Sequence, residues 1–376
     1  MIFNDAKQAR LKKQATAKAT YKYHYQLLIG EPKLSKNVLI TGGAGFIAHH
    51  IIDRILTTTD WTIVTLDRLD FSGNLNRLAD MMQEHDVETR KRVRPVFHDL
   101  KAEISPLTSG MIGDINYVLH LAAGSHVDRS IEYPMEFVMD NVVGTVNLLQ
   151  WARTLPNLER FINFSTDEVF GPAPPGVNYK EYDRYNSTNP YSASKAAAEE
   201  LCVAFENTYK MPIVVTHTMN VFGERQHPEK YIPMVIQKVR DGEVVTVHSD
   251  PSRTQAGSRH YIHAKDVADG LMFILEKLQD YKHESDYGGA KCPKFNLVGP
   301  EEIDNLALAN IIAAAQGKEL KYEMVDFHSS RPGHDLRYAL DGGLLESLGW
   351  IPQIKLSERV KEVVDWTLVN ERWLRK

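Results

Sequence analysis

The sequence predicts an α/β protein with a doubly wound, mostly parallel sheet. Six short apolar runs, rich in β-branched residues, alternate with segments of helical length between residues 37 and 218. This rhythm is typical of parallel strands joined by helical crossovers and covered by helices on both faces. The six runs are NVLI, WTIVTL, RVRPVF, INYVLHL, RFINF and PIVVTH.

The rhythm loosens beyond about residue 218. Prolines, glycines and the polar insertion HSDPSRTQAGSR interrupt the apolar runs, and two helical segments follow. We therefore predict three parts: an N-terminal extension over 1–36, a sheet domain over 37–218, and a smaller C-terminal α/β lobe over 219–376. The run EVVTVH is the expected strand of the smaller lobe.

The composition is that of a soluble globular protein. The chain has 376 residues, of which 43% are hydrophobic and 25% charged, and its formal net charge is -5. The negative charge argues against a nucleic-acid partner, and no apolar run reaches the roughly 18 residues that a membrane span requires. The two cysteines lie far apart, which predicts neither a disulfide framework nor a zinc site. We expect a cytoplasmic protein without a membrane partner or a bound metal.

A glycine-rich loop directly follows the first run. In TGGAGFIAHH, Gly42, Gly45 and Ala48 have a G-x-x-G-x-x-A spacing and lead into a helix. Such glycines let the backbone approach a pyrophosphate, which then lies on the helix N-terminus. The second run ends with Asp67, where a carboxylate can bind the adenosine ribose and repel a 2′-phosphate. The loop predicts a Rossmann-type sheet that binds NAD, with the neighbouring Arg68 as the one feature that favours NADP.

A tyrosine and a lysine lie one turn apart on a predicted helix. Pro190 suits a helix start, and the alanine-rich run YSASKAAAEELCVAFE places Tyr191 and Lys195 on the same face. A lysine ammonium beside a phenol favours the phenolate, so we expect the pKa of Tyr191 to fall from about 10 toward neutrality. The tyrosine could then act as a base.

Two adjacent acids end the fifth run. In FINFSTDEVFGP, Thr166, Asp167 and Glu168 follow a buried strand, and the carboxyl ends of parallel strands form the crevice where ligands bind. Neighbouring carboxylates discourage each other from ionising, which can hold one as an acid and the other as a base. The triplet therefore predicts an acid and base pair beside the nucleotide site.

Six motifs, in chain order, carry a family resemblance. They are TGGAGFIA, LDRLDFSGNLNRL, HLAAGSHVDRSI, FSTDEVFG, YSASKAAAE and RPGHDLRYALD. Together they resemble the extended short-chain dehydrogenase/reductase superfamily, and within it the nucleoside-diphosphate-glucose 4,6-dehydratases, most closely the dTDP-glucose enzymes. The T-D-E triplet carries the resemblance to this subfamily in particular, because related epimerases and decarboxylases generally have serine, alanine or one acid at these positions.

The resemblance implies conversion of an NDP-hexose, with dTDP-glucose as the first choice, to an NDP-4-keto-6-deoxyhexose. Tyr191 would take the proton of the C4 hydroxyl while bound NAD accepts hydride from C4, and Thr166 would orient O4. Glu168 would then remove the C5 proton while Asp167 protonates the departing C6 hydroxyl, before hydride returns to C6. Domain 37–218 would bind NAD, and 219–376 would mainly bind the sugar nucleotide.

The resemblance also assigns residues by position. The catalytic set is Thr166, Asp167, Glu168, Tyr191 and Lys195. The cofactor set is Gly42, Gly45, Phe46, Ile47, Asp67, Asp99, Leu100, Leu121, Ala122, Ala123, Tyr191 and Lys195. The substrate set is Ser125, Asn220, Glu229, Lys230, Arg259, Asn296, Arg331 and His334. In this superfamily the YSASK helix and the helix before the T-D-E strand pack against a second subunit, which implies a homodimer.

Departures from the family pattern leave the nucleoside open. Gly124 stands where glutamate is usual, Val221 and Glu224 break the usual NNYGP, and the polar insertion 249–258 lies where the base is expected. UDP-, GDP- and CDP-glucose therefore stay alongside dTDP-glucose. Two other functions also stay open: an NAD-dependent sugar-nucleotide 4-epimerase, which needs no acid pair, and a non-catalytic dinucleotide-binding scaffold.

Overall fold

The computed structural model describes residues 35–70, 72–284, 290–326 and 336–375 of the chain. Every helix and strand given below lies within residues 37–376. Within these described ranges, no helix is both long and apolar enough to cross a membrane. The boundary near residue 218 stays a prediction.

Helices and strands alternate through most of this range. The strands are β1 (Asn37–Thr41), β2 (Thr62–Asp67), β3 (Val93–Phe97), β4 (Tyr117–His120), β5 (Arg160–Thr166), β6 (Ile213–Thr218), β7 (Asn220–Phe222), β8 (Val245–Ser249), β9 (Ser258–His263), β10 (His283–Glu284), β11 (Ala290–Lys291), β12 (Lys294–Leu297), β13 (Glu302–Asp304) and β14 (Tyr322–Asp326). The helices are α1 (Phe46–Thr58), α2 (Leu75–Met82), α3 (Val87–Arg90), α4 (Pro106–Ile112), α5 (Val127–Glu132), α6 (Pro134–Phe137), α7 (Gly144–Ala152), α8 (Pro190–Tyr209), α9 (Tyr231–Asp241), α10 (Ala264–Lys277), α11 (Asn305–Ala315), α12 (Gly343–Ser347) and α13 (Leu356–Val369). A π-helical turn covers Val138–Val143, and 3-10 turns cover Asp167–Phe170 and Glu371–Leu374.

A seven-stranded sheet lies at the centre, in the order β12-β6-β5-β4-β1-β2-β3. Every neighbouring pair in it is parallel. The chain leaves β1 for β2 on one side and later places β4 on the other, so the strand order reverses at β1 and β4. The prediction of a doubly wound parallel sheet is confirmed, and the reversal marks where an open α/β sheet binds its ligands.

The strand sequences explain why helices cover both faces. Alternate residues of a strand point to opposite faces. In β1, Val38 and Ile40 join an apolar core with α1 and α10, whereas Leu39 joins a second core with α7 and α8. A strand buried on both sides has a continuous apolar sequence, which is why NVLI could be recognised.

The later part of the chain adds smaller sheets and one strand of the main sheet. The small sheets are β13-β9-β7 and the pairs β14-β8 and β10-β11, and the expected EVVTVH strand is present as β8. The apolar core of the first two of these sheets includes Val245 and residues of α9, α11 and α13. The four-residue β12 was not among the predicted runs, because its pairing with β6 is a long-range contact that such a short segment does not signal.

Candidate active site

The carboxyl ends of the central strands open into a cavity of about 410 Å3. It lies at the reversal of strand order, where the residues after β1, β2, β4 and β5 meet the start of α8. All residues of the predicted cofactor set and all residues of the predicted catalytic set line this cavity. The fold therefore brings the separate sequence motifs to one concave site.

The glycine loop turns tightly against the end of β4. Gly42 has φ +68°, and a Cβ atom there would come within 2.9 Å of the backbone nitrogen of Ala122. Gly45 precedes α1 and provides no side-chain cap, and the first helical residues, Phe46 and Ile47, line the cavity. Side chains are thus missing where a pyrophosphate must approach, and uncapped amides remain to bind it. The loop fits a dinucleotide cofactor.

Asp67 ties the end of β2 to the glycine loop. One carboxylate oxygen accepts a hydrogen bond from the Ala44 nitrogen at 2.9 Å, and the other accepts one from the Leu69 nitrogen at 2.8 Å. A carboxylate has about four acceptor positions, so both oxygens retain capacity for ribose hydroxyls. The neighbouring Arg68 is engaged by the carboxylates of Asp70 and Asp140.

The start of α8 positions the tyrosine and lysine. Asn189 caps the helix by accepting a hydrogen bond from the Ser192 nitrogen at 2.8 Å, and Pro190 occupies the first turn as predicted. The backbone nitrogen of Tyr191 donates to Ser130 Oγ at 3.1 Å. The Lys195 ammonium donates to a backbone carbonyl of β5 at 2.7 Å. Both side chains are buried, so their orientation is fixed by the helix and the sheet.

Burial dominates the electrostatics of this pair. The pKa of Tyr191 lies above its ordinary value because the phenol is buried and the carboxylates of Glu168 and Asp167 disfavour a phenolate. A hydrogen bond with Thr166 acts in the opposite direction. Burial lowers the pKa of Lys195 to about 8. The predicted fall of the Tyr191 pKa is wrong for the chain by itself, because burial and the two acids outweigh the hydrogen bond with Thr166.

The acid pair begins the 3-10 turn that follows β5. Thr166 caps this turn: its hydroxyl accepts from the Glu168 nitrogen at 3.4 Å and donates to Asp167 Oδ1 at 3.0 Å. The Asn189 amide donates to Glu168 Oε2 at 3.1 Å. Asp167 Oδ2 is buried and has no hydrogen-bond partner among the described residues. A buried oxygen without a partner suits a proton donor that awaits a substrate.

Both acids resist ionisation. Burial raises the pKa of Asp167 to about 6, against the opposing effects of the Arg259 cation and the Thr166 hydroxyl. Burial and the charge of Asp167 raise the pKa of Glu168 to about 7, against the opposing effect of the Asn189 amide. Because the two acids are coupled, the pair passes through a state with one proton, which acid and base catalysis by two neighbouring carboxyl groups requires. In the chain by itself the higher pKa places that proton on Glu168, so the expected roles of Asp167 as the acid and Glu168 as the base require the proton to lie on Asp167 once substrate is bound.

The predicted substrate set divides between the cavity and its surroundings. Ser125, Asn220 and Lys230 line the cavity. Arg259 lies outside the lining, where it donates to two backbone carbonyls and its guanidinium stacks on a tyrosine ring, yet its charge reaches both acids. Glu229 is exposed and also lies outside the lining. The remaining positions Arg331 and His334 lie outside the described residues.

Asn296 is a correction to the predicted substrate set. It lies in β12 and is fully buried. Its amide nitrogen donates to the carbonyls of Tyr179 and Asp341 at 3.0 and 2.9 Å, and its oxygen lies 2.9 Å from His217 Nδ1. These contacts fill the amide's hydrogen-bonding positions, so the side chain joins β12 to β6 and to the preceding loop, away from the cavity.

The departures from the family pattern are accommodated by particular neighbours. A Cβ atom at Gly124 would come within 3.1 Å of the Phe137 ring, so the missing side chain makes room for that ring. Glu224 is buried, forms an ion pair with Lys265 at 2.9 Å, and has a carboxylate oxygen 3.3 Å from His263 Nε2. Gly124 and Glu224 therefore each have a local structural partner.

Other cavity residues escaped sequence reasoning. They include the acid Asp140 on the π-helical turn, and the residues of the smaller lobe that complete the wall near Asn220. Asp140 and the residues of the smaller lobe come from segments with no motif of their own, so only packing shows their place, whereas Asp70, Ser72, Arg77, His126 and Ser165 lie inside the motifs but had no assigned role. The additional polar lining residues are Asp70, Ser72, Arg77, His98, Lys101, His126, Asp140, Ser165, Thr218, Gln226, His227, Tyr231 and Tyr261.

Comparison with known proteins decides the family. The profile of the NAD dependent epimerase/dehydratase family matches residues 38–288. The chain belongs to this family. Its cavity, glycine loop and tyrosine–lysine pair agree with that membership, and the chain is accordingly an NAD-dependent sugar-nucleotide enzyme of the extended short-chain dehydrogenase/reductase superfamily.

Individual members of the family are similar to the chain over most of its length. It is 35% identical to the low-salt glycan biosynthesis protein Agl12 of Haloferax volcanii, over 89% of this chain and 99% of the relative. It is 32% identical to dTDP-glucose 4,6-dehydratase 1 of Escherichia coli, over 90% of this chain and 94% of the relative. The crystal structure of the dTDP-glucose 4,6-dehydratase DesIV from Streptomyces venezuelae, solved with NAD bound, matches with a TM-score of 0.76 and 30% identity, over 90% of this chain and 98% of that one.

Proposed function

We propose that this enzyme is an NDP-glucose 4,6-dehydratase. The observation that supports the proposal most strongly is the pair Asp167 and Glu168, buried beside Tyr191 with pKa values raised to about 6 and about 7. A 4-epimerase needs a base at the C4 hydroxyl but no second and third acid–base group, whereas loss of water needs a base at C5 and an acid at O6. The pair meets the second requirement.

Tyr191 is the proposed base for the C4 hydroxyl. When bound, NAD supplies the acceptor and donor of hydride and the positive charge of its oxidised nicotinamide ring. The raised pKa of Tyr191 means that its phenolate requires positive charge at the site, and Lys195 is the cation that the chain itself provides. Thr166, which hydrogen-bonds with the Tyr191 hydroxyl, is placed to orient the sugar O4.

The elimination is assigned to the acid pair. A 4-keto group acidifies C5, and the Glu168 carboxylate takes the C5 proton as a C5–C6 double bond forms. Asp167 gives its proton to the C6 hydroxyl, and the C6–O bond breaks with release of water. The double bond would then be reduced by the hydride taken earlier from C4, which is returned to C6, while Glu168 returns the proton to C5. The buried Oδ2 of Asp167, which has no partner among the described residues, is the proposed donor atom.

The proposed substrate is an NDP-glucose, with dTDP-glucose first and the UDP, GDP and CDP sugars as alternatives. Lys230 lines the cavity on the side of the smaller lobe, and the charge of Arg259 reaches the same region. Cations there suit the diphosphate, because they neutralise phosphate oxygens. The dTDP preference rests on likeness to the dTDP-glucose dehydratases.

The test is incubation of the purified protein with dTDP-, UDP-, GDP- and CDP-glucose, followed by mass spectrometry. We expect a product lighter than the substrate by about 18 mass units, the mass of water. A product of unchanged mass with inverted configuration at C4 would replace the proposal with an epimerase. Binding of NAD and nucleotide sugar without any turnover would replace it with the scaffold function.

We also propose that the enzyme is a homodimer. Five large apolar side chains on α5, α6 and the π-helical turn are at least one-third exposed. Such a concentration of exposed apolar surface is typical of an interface. They are Ile131, Tyr133, Met135, Val138 and Met139. Light scattering at micromolar concentration should give about twice the chain mass of 42.7 kDa, and Met135→Glu should shift the measured mass toward one chain; a parent protein that scatters as a single chain would contradict the dimer.

A further inference from the structure

Arg68 lies where an arginine can select NADP. It directly follows Asp67 at the end of β2, lines the cavity, and is the residue type that accommodates a 2′-phosphate in dinucleotide-binding folds. The enzyme is nevertheless a member of an NAD-dependent family. The contacts of the guanidinium resolve this conflict.

The guanidinium is held by carboxylates from two other parts of the cavity wall. Nη1 and Nη2 donate to the two oxygens of Asp140 at 2.5 and 2.7 Å, in a two-pronged pair. Nε and Nη2 donate to Asp70 Oδ2 at 3.1 and 2.8 Å, and Nη1 lies 3.5 Å from Asp99 Oδ1. A guanidinium has five N–H donors in a fixed plane, so this set of acceptors engages the whole fork.

Asp140 differs from Asp70 and Asp99 in its place in the chain and in its burial. Asp70 is two residues from Arg68 on the same loop and also accepts from Ser72, so it can move with the arginine. Asp140 belongs to the π-helical turn, 72 residues away, and only 13% of its side chain is exposed. It therefore anchors the guanidinium to a packed element and fixes the direction in which the fork points.

The surrounding charge reinforces this arrangement. The wall contains the four acids Asp67, Asp70, Asp99 and Asp140, and the three cations Arg68, Arg77 and Lys101. Lys101 is itself 3.4 Å from Asp99 and 3.9 Å from Asp140, and the Arg77 guanidinium donates to the backbone carbonyls of Ala44, Ser72 and Arg225. Each cation is thus engaged by the chain, and a phosphate at this end of the cavity meets an excess of negative charge.

We propose that Asp140 is a cofactor-specificity residue: it holds Arg68 in a carboxylate clamp and so denies the 2′-phosphate of NADP its guanidinium partner. Removing the Asp140 charge frees one side of the Arg68 guanidinium and removes one negative charge that would repel the phosphate. NAD, which has a ribose hydroxyl at that position, gains nothing from the released arginine. Asp140 thus acts on the cofactor through Arg68, as a positioning residue.

The experiment measures dissociation constants of NAD and NADP by isothermal titration calorimetry, without any turnover. Asp140→Asn preserves the shape of the side chain and should tighten NADP by about 10-fold or more relative to NAD, since a charge-assisted hydrogen bond from Arg68 to the phosphate becomes available. Asp99→Asn removes the same charge from the same wall but leaves the two-pronged pair between Arg68 and Asp140. It should change the ratio of the NADP and NAD affinities by less than about 3-fold where Asp140→Asn changes it by 10-fold. An unchanged ratio in Asp140→Asn, or an equal change in Asp99→Asn, would overturn the proposal.

Arg68→Ala in the Asp140→Asn background gives a second test. It should abolish the gained NADP affinity, because the gain depends on the released guanidinium. A double variant that keeps the gain would mean that the gain comes from the lost negative charge of Asp140, and the clamp would be refuted. None of these outcomes depends on whether the enzyme is a dehydratase.

Discussion

The cofactor end and the substrate end of the cavity differ in how many of their predicted residues line the cavity. At the cofactor end, every predicted residue lies in the glycine loop, at a strand end of the main sheet or in the first turns of α8, and every one lines the cavity. At the substrate end, Ser125, Asn220 and Lys230 line it, but Glu229, Arg259 and Asn296 do not. Motifs attached to sheet strands thus give reliable positions, whereas residues carried by a separately packed lobe do not.

The largest effect is expected at the acid pair, where the two ends meet. Glu168→Gln should lower the rate of dehydration by about 10³-fold or more, and Asp167→Asn by about 10²-fold or more, because each removes a proton-transfer group. Product formation is measured by mass spectrometry, with NAD affinity and circular dichroism as controls for folding. Wild-type dehydration rates in both variants would contradict the assignment of proton transfer to Asp167 and Glu168.

The next effect separates the substrate end into binding and structural residues. Lys230→Ala should raise KM for the nucleotide sugar by about 10-fold with a smaller change in kcat, since it removes a cation from the cavity wall. Asn296→Ala should instead lower the free energy of unfolding by about 1–3 kcal/mol, because it leaves buried hydrogen-bonding groups without partners. Urea denaturation and steady-state kinetics distinguish the two. A raised KM at constant stability in Asn296→Ala would return that residue to the binding set.

A pH profile tests the coupling within the acid pair. The rate should rise as the doubly protonated pair loses one proton and fall as it loses the second. The two limbs should lie near the pKa values of about 6 and about 7. Lys195, whose pKa is about 8, should contribute to the falling limb. Asp167 raises the pKa of Glu168. The residual activity of Asp167→Asn should therefore rise with the ionisation of Glu168 alone, at a pH below about 7, and a rising limb at or above pH 7 would contradict the coupling.

The smallest effect is on stability. Burial raises the pKa of Glu168 to about 7 in the folded protein, above its unfolded value of about 4.3. The folded state thus binds this proton more tightly, so the associated stability is present below about pH 4 and is lost as the pH rises through 7. Glu168→Gln should raise the melting temperature at pH 8 and raise it less at pH 5. Glu200→Gln, on the exposed side of α8, is the matched control and should show no such difference.

The glycine loop, the T-D-E triplet and the YSASK helix could be placed from the sequence because each depends on short-range geometry. A glycine loop between a strand and a helix needs only local turns, and Tyr191 and Lys195 share a face through helical periodicity alone. The apolar runs of β1, β2 and β4 were recognisable because a strand buried on both faces is continuously apolar. Sequence reasoning was therefore sufficient for the doubly wound sheet and for the cofactor end of the cavity.

Contacts between distant segments required the tertiary structure. The return of β12 beside β6 buries Asn296, and no local pattern announces that pairing. The raised pKa of Tyr191 follows from burial beside the acid pair, a collective effect of packing that the spacing to Lys195 could not show. The Arg68–Asp140 pair joins residues 72 positions apart. Local sequence determined which groups the site contains, while long-range packing decided their burial, their partners and hence their charge, because desolvation and ion pairing depend on every element that surrounds a group.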